Sequence, residues 1–143
     1  MPRPRVLIED WLPARAIGVE CMRERGSASA LAPTTYLHVW WARRPLTISR
    51  AAVLGSLLPV NFDRATFERL LGFYGSSSDI LHGQRLLELA RLTGNRVKNP
   101  HGRRAFSNVI PVPLLERASH AMSEFWSGSP TVLDPMAGGG SIP

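Results

Sequence analysis

Cysteine is nearly absent from this sequence, since Cys21 is the only one among 143 residues. One thiol cannot form a disulfide within the chain, and it cannot supply the several sulfur ligands of a structural zinc site. Chains without disulfides are typical of reducing compartments. We therefore predict a cytoplasmic protein without a metal site, in which Cys21 is a small buried apolar group.

Long apolar runs are also missing. The start, Met1–Arg5, leads into no stretch that suits a signal peptide, and charged residues interrupt the chain too often for a membrane span. Hydrophobic residues make up 44% of the chain and charged residues 20%, which is the composition of a folded domain. We expect a single hydrophobic core and no membrane partner.

Lysine is scarce too, because Lys98 is the only lysine among 17 basic residues. The formal net charge is +6, and almost all of the positive charge is arginine. The planar guanidinium suits phosphates and guanine edges, so the bias favours a nucleic-acid partner. The alternative is a general arginine preference of a GC-rich genome, with no functional meaning.

Apolar spacing predicts a mainly helical region before residue 129. A weak pattern covers Ala14–Arg25, and a clearer helix runs from about Thr47 to Leu58, where Pro59 stops it. The third helix follows Asp63 as its N-cap and the fourth follows Asp79. The second helix is expected to place on one face Leu46, Arg50, Val53 and Leu57, and the third to carry Phe67, Leu70, Leu71 and Tyr74.

A last helix is predicted after Pro111, with Pro113 in its first turn. Its apolar face would comprise Leu114, Ala118, Ala121 and Phe125.

A basic loop follows the fourth predicted helix, which Gly94 should end. The loop runs to Arg104 and has no apolar periodicity that would bury it. We predict that it contacts the phosphate backbone of DNA, the alternative being a merely solvated charge run. Its candidate nucleic-acid contacts are Arg96, Lys98, Arg103 and Arg104.

The last segment carries the most informative motif. Thr131–Asp134 is typical of a short buried strand, and it runs into the glycine-rich turn Pro135–Gly140. Such a turn brings backbone N–H groups close to a ligand because no Cβ intervenes. A P-loop would need Lys and then Ser or Thr after the glycines, whereas Ser141 and Ile142 follow them, so the P-loop is excluded. A dinucleotide-binding motif would need Gly or Ala in place of Pro143, which disfavours that motif. A plain strand-to-helix turn stays an alternative.

The sequence Asp-Pro-Met-Ala-Gly-Gly-Gly resembles motif I of amino-methylating DNA methyltransferases, with Met136 in place of the usual phenylalanine. The preceding stretch Pro111–Arg117 is similar to the helix that often comes before motif I in these enzymes. The resemblance implies S-adenosyl-L-methionine as the cofactor. It also implies that the pocket is lined by Asp134, Pro135, Ala137, Gly138 and Gly140.

A second block, His38–Leu46, resembles the opening region of a bacterial and archaeal family of adenine-specific DNA methylases that carry a zinc ribbon further along. The resemblance also takes in Leu7–Arg25. Trp41, beside Trp40, would stack on an unpaired base or on the cofactor adenine, and Arg43 and Arg44 would grip phosphate or the cofactor carboxylate. Core packing of a tryptophan beside solvated arginines is the alternative.

The resemblance implies a DNA (adenine-N6) methyltransferase that acts in restriction-modification or phage defence. We expect residues 1–128 to be its helical N-terminal region and residues 129–143 to begin a Rossmann-like α/β methyltransferase domain. The Asn/Asp-Pro-Pro-aromatic motif that would hold the target amine is absent from the sequence, so no catalytic residue is predicted. We therefore expect an inactive fragment that ends just after motif I.

Two alternatives to this function stay open. One is a stand-alone basic helical module that binds nucleic acid, with the glycine-rich end as a tail. The other is part of an RNA methyltransferase, because motif I does not report which polymer is methylated.

Overall fold

The computed structural model describes residues 4–26 and 45–133, and these residues are mainly helical. The predictions at Trp41, Arg43 and Arg44 and at Asp134–Gly140 lie outside the described residues. No β-strand forms within the described ranges, where Val6 and Pro59 make one isolated bridge. The helices are α1 (Ala14–Arg25), α2 (Leu46–Leu57), α3 (Arg64–Leu70), α4 (Ser77–Thr93) and α5 (Val112–Trp126), with short 3-10 turns at Leu7–Glu9 and Ala105–Ser107.

The fully buried positions of helix α2 are small residues, while larger residues such as Leu54 pack against the core and are only partly buried. Its buried positions are Thr47, Ser49, Ala51 and Gly55, whereas the predicted face of Leu46, Arg50, Val53 and Leu57 is only half-buried. The reason is a close crossing by the first 3-10 turn, where a Cβ on Gly55 would lie 3.2 Å from Ile8 Cβ. The larger side chains are displaced to the flanks of this contact.

The start of α2 is capped by α1. Glu24 accepts hydrogen bonds from the backbone N–H of Leu46 (2.7 Å) and of Thr47 (3.2 Å), and from Thr47 Oγ1 (3.1 Å). The first N–H groups of a helix have no partner within the helix and carry partial positive charge, so a carboxylate satisfies both needs. The cap orients α2 relative to α1.

Helix α3 confirms one predicted cap and corrects the predicted length. Asp63 Oδ2 accepts from Thr66 N at 2.8 Å, and this bond with that of the Thr66 hydroxyl holds the pKa of Asp63 below its ordinary value. The helix ends at Leu70 because the chain turns at Gly72, which has φ +91°. Tyr74 consequently lies beyond the helix and is exposed.

Helix α4 begins earlier than predicted. Ser76 is the N-cap, and Asp79 is the third helical residue of a capping box in which Asp79 N donates to Ser76 Oγ at 3.2 Å. Asp79 Oδ2 accepts in return from Ser76 N at 2.8 Å. Gly94 ends the helix in the left-handed conformation, as predicted.

Helix α5 closes the bundle against the end of α2. Its predicted face is confirmed for Leu114, Ala118 and Ala121, which pack against the core. Trp126 Nε1 donates to the carbonyl oxygen of Leu57 at 2.8 Å, so the last turn of α5 is tied to that of α2.

The predicted strand over Thr131–Asp134 is not formed in its described part. Residues 131–133 have no regular structure, and Leu133 is 85% exposed. A strand is stable only beside another strand, and none lies within the described ranges. No Rossmann strand is therefore seen in this part of the chain.

The described helices share one hydrophobic core. Phe67 of α3 lies at its centre, and the Trp11 ring meets Phe67 edge-on with 6.1 Å between centroids. The guanidinium of Arg64 lies 5.0 Å from the Trp11 ring centre and covers it from solvent. Fully buried side chains include Leu7, Ile17, Leu58, Leu70 and Leu71.

Gly72 gives the first prediction. We expect Gly72→Ala to lower the free energy of unfolding by more than about 2 kcal/mol, because left-handed backbone strain combines with a clash. A Cβ there would lie 2.3 Å from the carbonyl oxygen of Ala105. Chemical denaturation measures the loss. The control is Gly94→Ala, which has φ +69° but open space, and should cost about 1 kcal/mol. Equal losses would contradict the clash.

The Glu24 cap gives the second prediction. Glu24→Gln keeps the side-chain shape but removes the charge that faces the start of α2, so we expect a loss of about 1 kcal/mol in unfolding free energy. The matched control is Glu88→Gln, because Glu88 is exposed in α4 and accepts a hydrogen bond from the Gln84 side chain rather than from the start of a helix. An equal small loss in both variants would show that the cap contributes nothing.

Candidate nucleic-acid interface

A long stretch of the chain contains no acidic residue. Between Glu88 and Glu116 there is neither Asp nor Glu. This stretch spans the last five residues of α4, the basic loop (residues 94–104), the second 3-10 turn and the start of α5. Its positive charges are Arg91, Arg96, Lys98, Arg103 and Arg104. Positive charge without neighbouring carboxylates is the electrostatic requirement for binding a polyanion.

The basic loop runs back along α4. It leaves the helix at Gly94 and returns to Gly83, where a Cβ would lie 3.0 Å from two atoms of the His101 ring and 3.4 Å from Pro100 Cγ. Eleven residues of helix correspond to about 16 Å, so the loop follows a substantial part of α4. The absence of a side chain at Gly83 allows this close approach.

Helix α1 binds the returning end of the loop through two charged side chains. Arg23 Nη2 donates to the carbonyl oxygens of Gly102 (2.9 Å) and Arg103 (3.3 Å), while its Nη1 forms an ion pair with Glu20. The other carboxylate oxygen of Glu20 accepts from Ala105 N at 3.0 Å. Glu20 is only 2% exposed, so its charge is compensated by these partners. We call Glu20 and Arg23 together the α1 clamp.

The predicted contact residues lie in one loop but differ in exposure. Arg96, Lys98 and Arg103 are exposed, whereas Arg104 is half-buried. The carbonyl oxygen of Arg104 accepts from Ser107 Oγ at 2.8 Å, which ties it to the second 3-10 turn. The loop thus exposes three positive side chains to solvent, while its backbone is hydrogen-bonded to α1.

His101 points inward, unlike its basic neighbours. Neither ring nitrogen has a hydrogen-bond partner within the described part of the chain, although both are buried. Burial and the nearby Arg23 charge lower the pKa of His101 below 6.5, and Glu20 opposes them. The imidazole is therefore neutral at pH 7 and acts as an apolar wedge between the loop and α4.

The polar layer extends from the clamp toward α2. Arg50 Nη1 is buried without a hydrogen-bond partner among the described residues, and it lies 3.1 Å from the position of a Cβ on Gly72. Burial lowers the pKa of Arg50, while Glu24 acts in the opposite direction. Cys21 is half-buried, and burial together with Glu24 raises the pKa of its thiol, so it is a poor nucleophile.

Sequence reasoning missed the clamp. Glu20 and Arg23 are three residues apart on α1, which is the ordinary spacing of an exposed helix ion pair. The available signal was their position beside the weak apolar pattern at Ile17 and Cys21, which places Glu20 close to the buried face. No group of His, Cys, Asp and Glu within residues 4–26 and 45–133 could hold a metal ion.

Part of the chain is similar to a known protein family. A family model described as a protein of unknown function (DUF1156) covers residues 11–70, which is under half of the chain. The matched range contains α1, α2 and α3, and so includes both residues of the clamp but not the basic loop. Neither a curated protein nor a solved structure matches this chain. The family description assigns no activity.

None of the helices in the described part of the chain is long and apolar enough to cross a bilayer.

His101 gives the third prediction. Its pKa is lowered in the folded state, so the unfolded chain binds more protons below about pH 6.5, and stability falls as the pH drops through that value. His101→Phe removes this proton uptake without removing a hydrogen bond between described residues. We expect it to reduce the loss of unfolding free energy between about pH 7 and about pH 5.

The control for this variant is His82→Gln, because His82 is exposed on α4 next to Gly83. It should leave the pH dependence of stability close to that of the wild type. If His101→Phe and the wild type lose stability in parallel on acidification, the inward imidazole does not control the effect.

Proposed function

We propose that this chain is the N-terminal region of a DNA (adenine-N6) methyltransferase that uses S-adenosyl-L-methionine. The observation that carries the proposal is the motif Asp134–Gly140, whose order of acid, proline, small residue and glycines resembles motif I of this enzyme class. Residues 1–128 would form the helical region, and residues 129–143 would begin the methyltransferase domain. A role in restriction-modification or phage defence follows from the same resemblance.

The composition of the motif fits the proposed cofactor. Asp134 would offer a carboxylate to polar groups of S-adenosyl-L-methionine, while Gly138 and Gly140 would allow backbone N–H groups to approach without a Cβ in the way. Pro135 and Ala137 would complete the wall of the pocket. When bound, the cofactor supplies the activated methyl group.

DNA as the substrate is supported by the charge of the basic loop. Arg96, Lys98 and Arg103 are exposed, lie in a stretch without carboxylates and are backed by the α1 clamp. Contacts of this kind position a protein on the phosphate backbone and carry no sequence information. Selection of adenine would then depend on other residues.

The segment before α2 is the candidate for base contact. Trp41, Arg43 and Arg44 come just before Pro45 in the sequence. Pro45 is the N-cap of α2, and Glu24 binds the start of that helix. Stacking by Trp41 on an unpaired base, with Arg43 and Arg44 on phosphate, would complement the loop.

A second candidate function is a stand-alone module that binds nucleic acid. The observation in its favour is that described residues hold the loop, namely the α1 clamp and Gly83 of α4. Binding by such a module needs no cofactor. A module that binds RNA in preference to DNA would instead support methylation of RNA or an RNA-binding role.

The test of the proposed function, and the fourth prediction, is calorimetric titration of S-adenosyl-L-methionine into protein expressed from the whole reading frame that carries this sequence. We expect binding that Asp134→Ala weakens by about tenfold or more, because a charge-assisted hydrogen bond contributes about 1.5 to 3 kcal/mol. The control is Asp10→Ala, which removes a half-exposed carboxylate beside Arg5 and Arg64.

The 143-residue chain provides the second arm of this test. It should transfer no methyl group to DNA, because it lacks the tetrapeptide that would hold the target amine. Cofactor binding by neither protein would exclude the methyltransferase and leave the stand-alone module. Methyl transfer by the 143-residue chain would contradict the assignment of catalysis to residues outside it.

A further inference from the structure

The α1 clamp binds the backbone of the basic loop and not its charged side chains. Arg23 donates to two successive carbonyl oxygens, those of Gly102 and Arg103, and Glu20 accepts from the N–H of Ala105. The three backbone groups lie within four residues of chain, immediately beside the exposed Arg103 side chain. The clamp therefore fixes the position of the loop while its positive charges stay available.

The two glycines of the loop have open surroundings in the described part of the chain. Gly94 and Gly102 have φ of +69° and +62°, and a Cβ at either would meet no described atom within 4 Å. Positive φ is readily reached by glycine, so steric contacts alone do not select these conformations. Each residue that must be ordered on binding costs free energy, and a loop ordered in advance avoids that cost.

We propose that Glu20 and Arg23 are positioning residues that set the basic loop for binding to nucleic-acid phosphates. This inference rests on the proposed contact between the loop and DNA. The clamp residues touch no phosphate themselves, because Arg23 is engaged by Glu20 and by two carbonyl oxygens and Glu20 is buried. Their contribution to affinity comes from the conformation that they impose on the loop.

The geometry makes arginine necessary at position 23. Nη1 pairs with Glu20 while Nη2 donates to the two carbonyl oxygens, so the planar guanidinium bridges α1 and the loop backbone through two different nitrogens. A lysine ammonium carries the same charge at a single point and cannot span this arrangement. Arg23→Lys therefore loosens the loop without changing the net charge.

The fifth prediction tests the clamp with Arg23→Lys in the full chain and a DNA duplex of about 20 base pairs. We expect affinity to fall by about five- to tenfold, because the loop must then be ordered on binding. The slope of log affinity against log salt should stay unchanged, since the number of phosphates neutralised is the same. Arg96→Gln should instead reduce that slope by about one.

Limited trypsin digestion gives the independent measurement. Cleavage after Arg96, Lys98 and Arg103 should become faster in Arg23→Lys, because local opening exposes the loop backbone. Cleavage after Arg69 in α3 should not change, which separates loop release from general unfolding. The control is Arg15→Lys, since Arg15 is an exposed arginine of the same helix.

Each outcome decides a different point. Unchanged affinity and unchanged loop cleavage in Arg23→Lys would overturn the clamp. A wild-type chain that does not bind the duplex would overturn the proposed DNA contact, while faster loop cleavage in the variant would still support the clamp. If Arg23→Lys fails to fold, Glu20→Gln removes the ion pair but keeps an acceptor for Ala105 N, and the same two measurements apply.

Discussion

The buried carboxylate of Glu20 is the constraint on which this region depends. Leaving such a charge without its partners would cost several kcal/mol, so α1 must bring Arg23 and the backbone of Ala105 to it. One turn further along α1, Glu24 binds the start of α2. A single polar face of α1 thereby holds two segments that are far apart in sequence, and the position of the basic loop follows from it.

The charged residues on this face of α1 have structural partners, whereas those of the basic loop are exposed to solvent. Glu20, Arg23 and Glu24 bond inward to backbone groups, whereas Arg96, Lys98 and Arg103 are exposed on the loop that Glu20 and Arg23 hold. The match to a family of unknown function covers the helices that supply the support, and the loop lies beyond it. We interpret the described region as a helical scaffold that presents positive charge, with cofactor binding proposed for the motif after it.

Local signals in the sequence were sufficient for the helices and for some of their ends. Apolar spacing located the five described helices. Asp63 caps the start of α3 and Gly94 ends α4, as the turn-forming residues predicted. Periodicity failed for α2, because the close crossing at Gly55 depends on a tertiary contact with Ile8. The backbone partner of Glu20 could not be predicted for the same reason, since Glu20 and Ala105 are 85 residues apart. The strand at Thr131 was predicted from composition alone, without a neighbouring strand to pair with.

We propose that the exposed positive charges of the loop bind nucleic-acid phosphate. The salt dependence of duplex binding tests this proposal in a chain in which Arg96, Lys98 and Arg103 are all glutamine. We expect a slope of log affinity against log salt that is smaller by about two to three. A chain with Arg5, Arg15 and Arg69 changed to glutamine carries the same charge change on other exposed positions and should keep the wild-type slope. Equal slopes in the two variants would contradict the account.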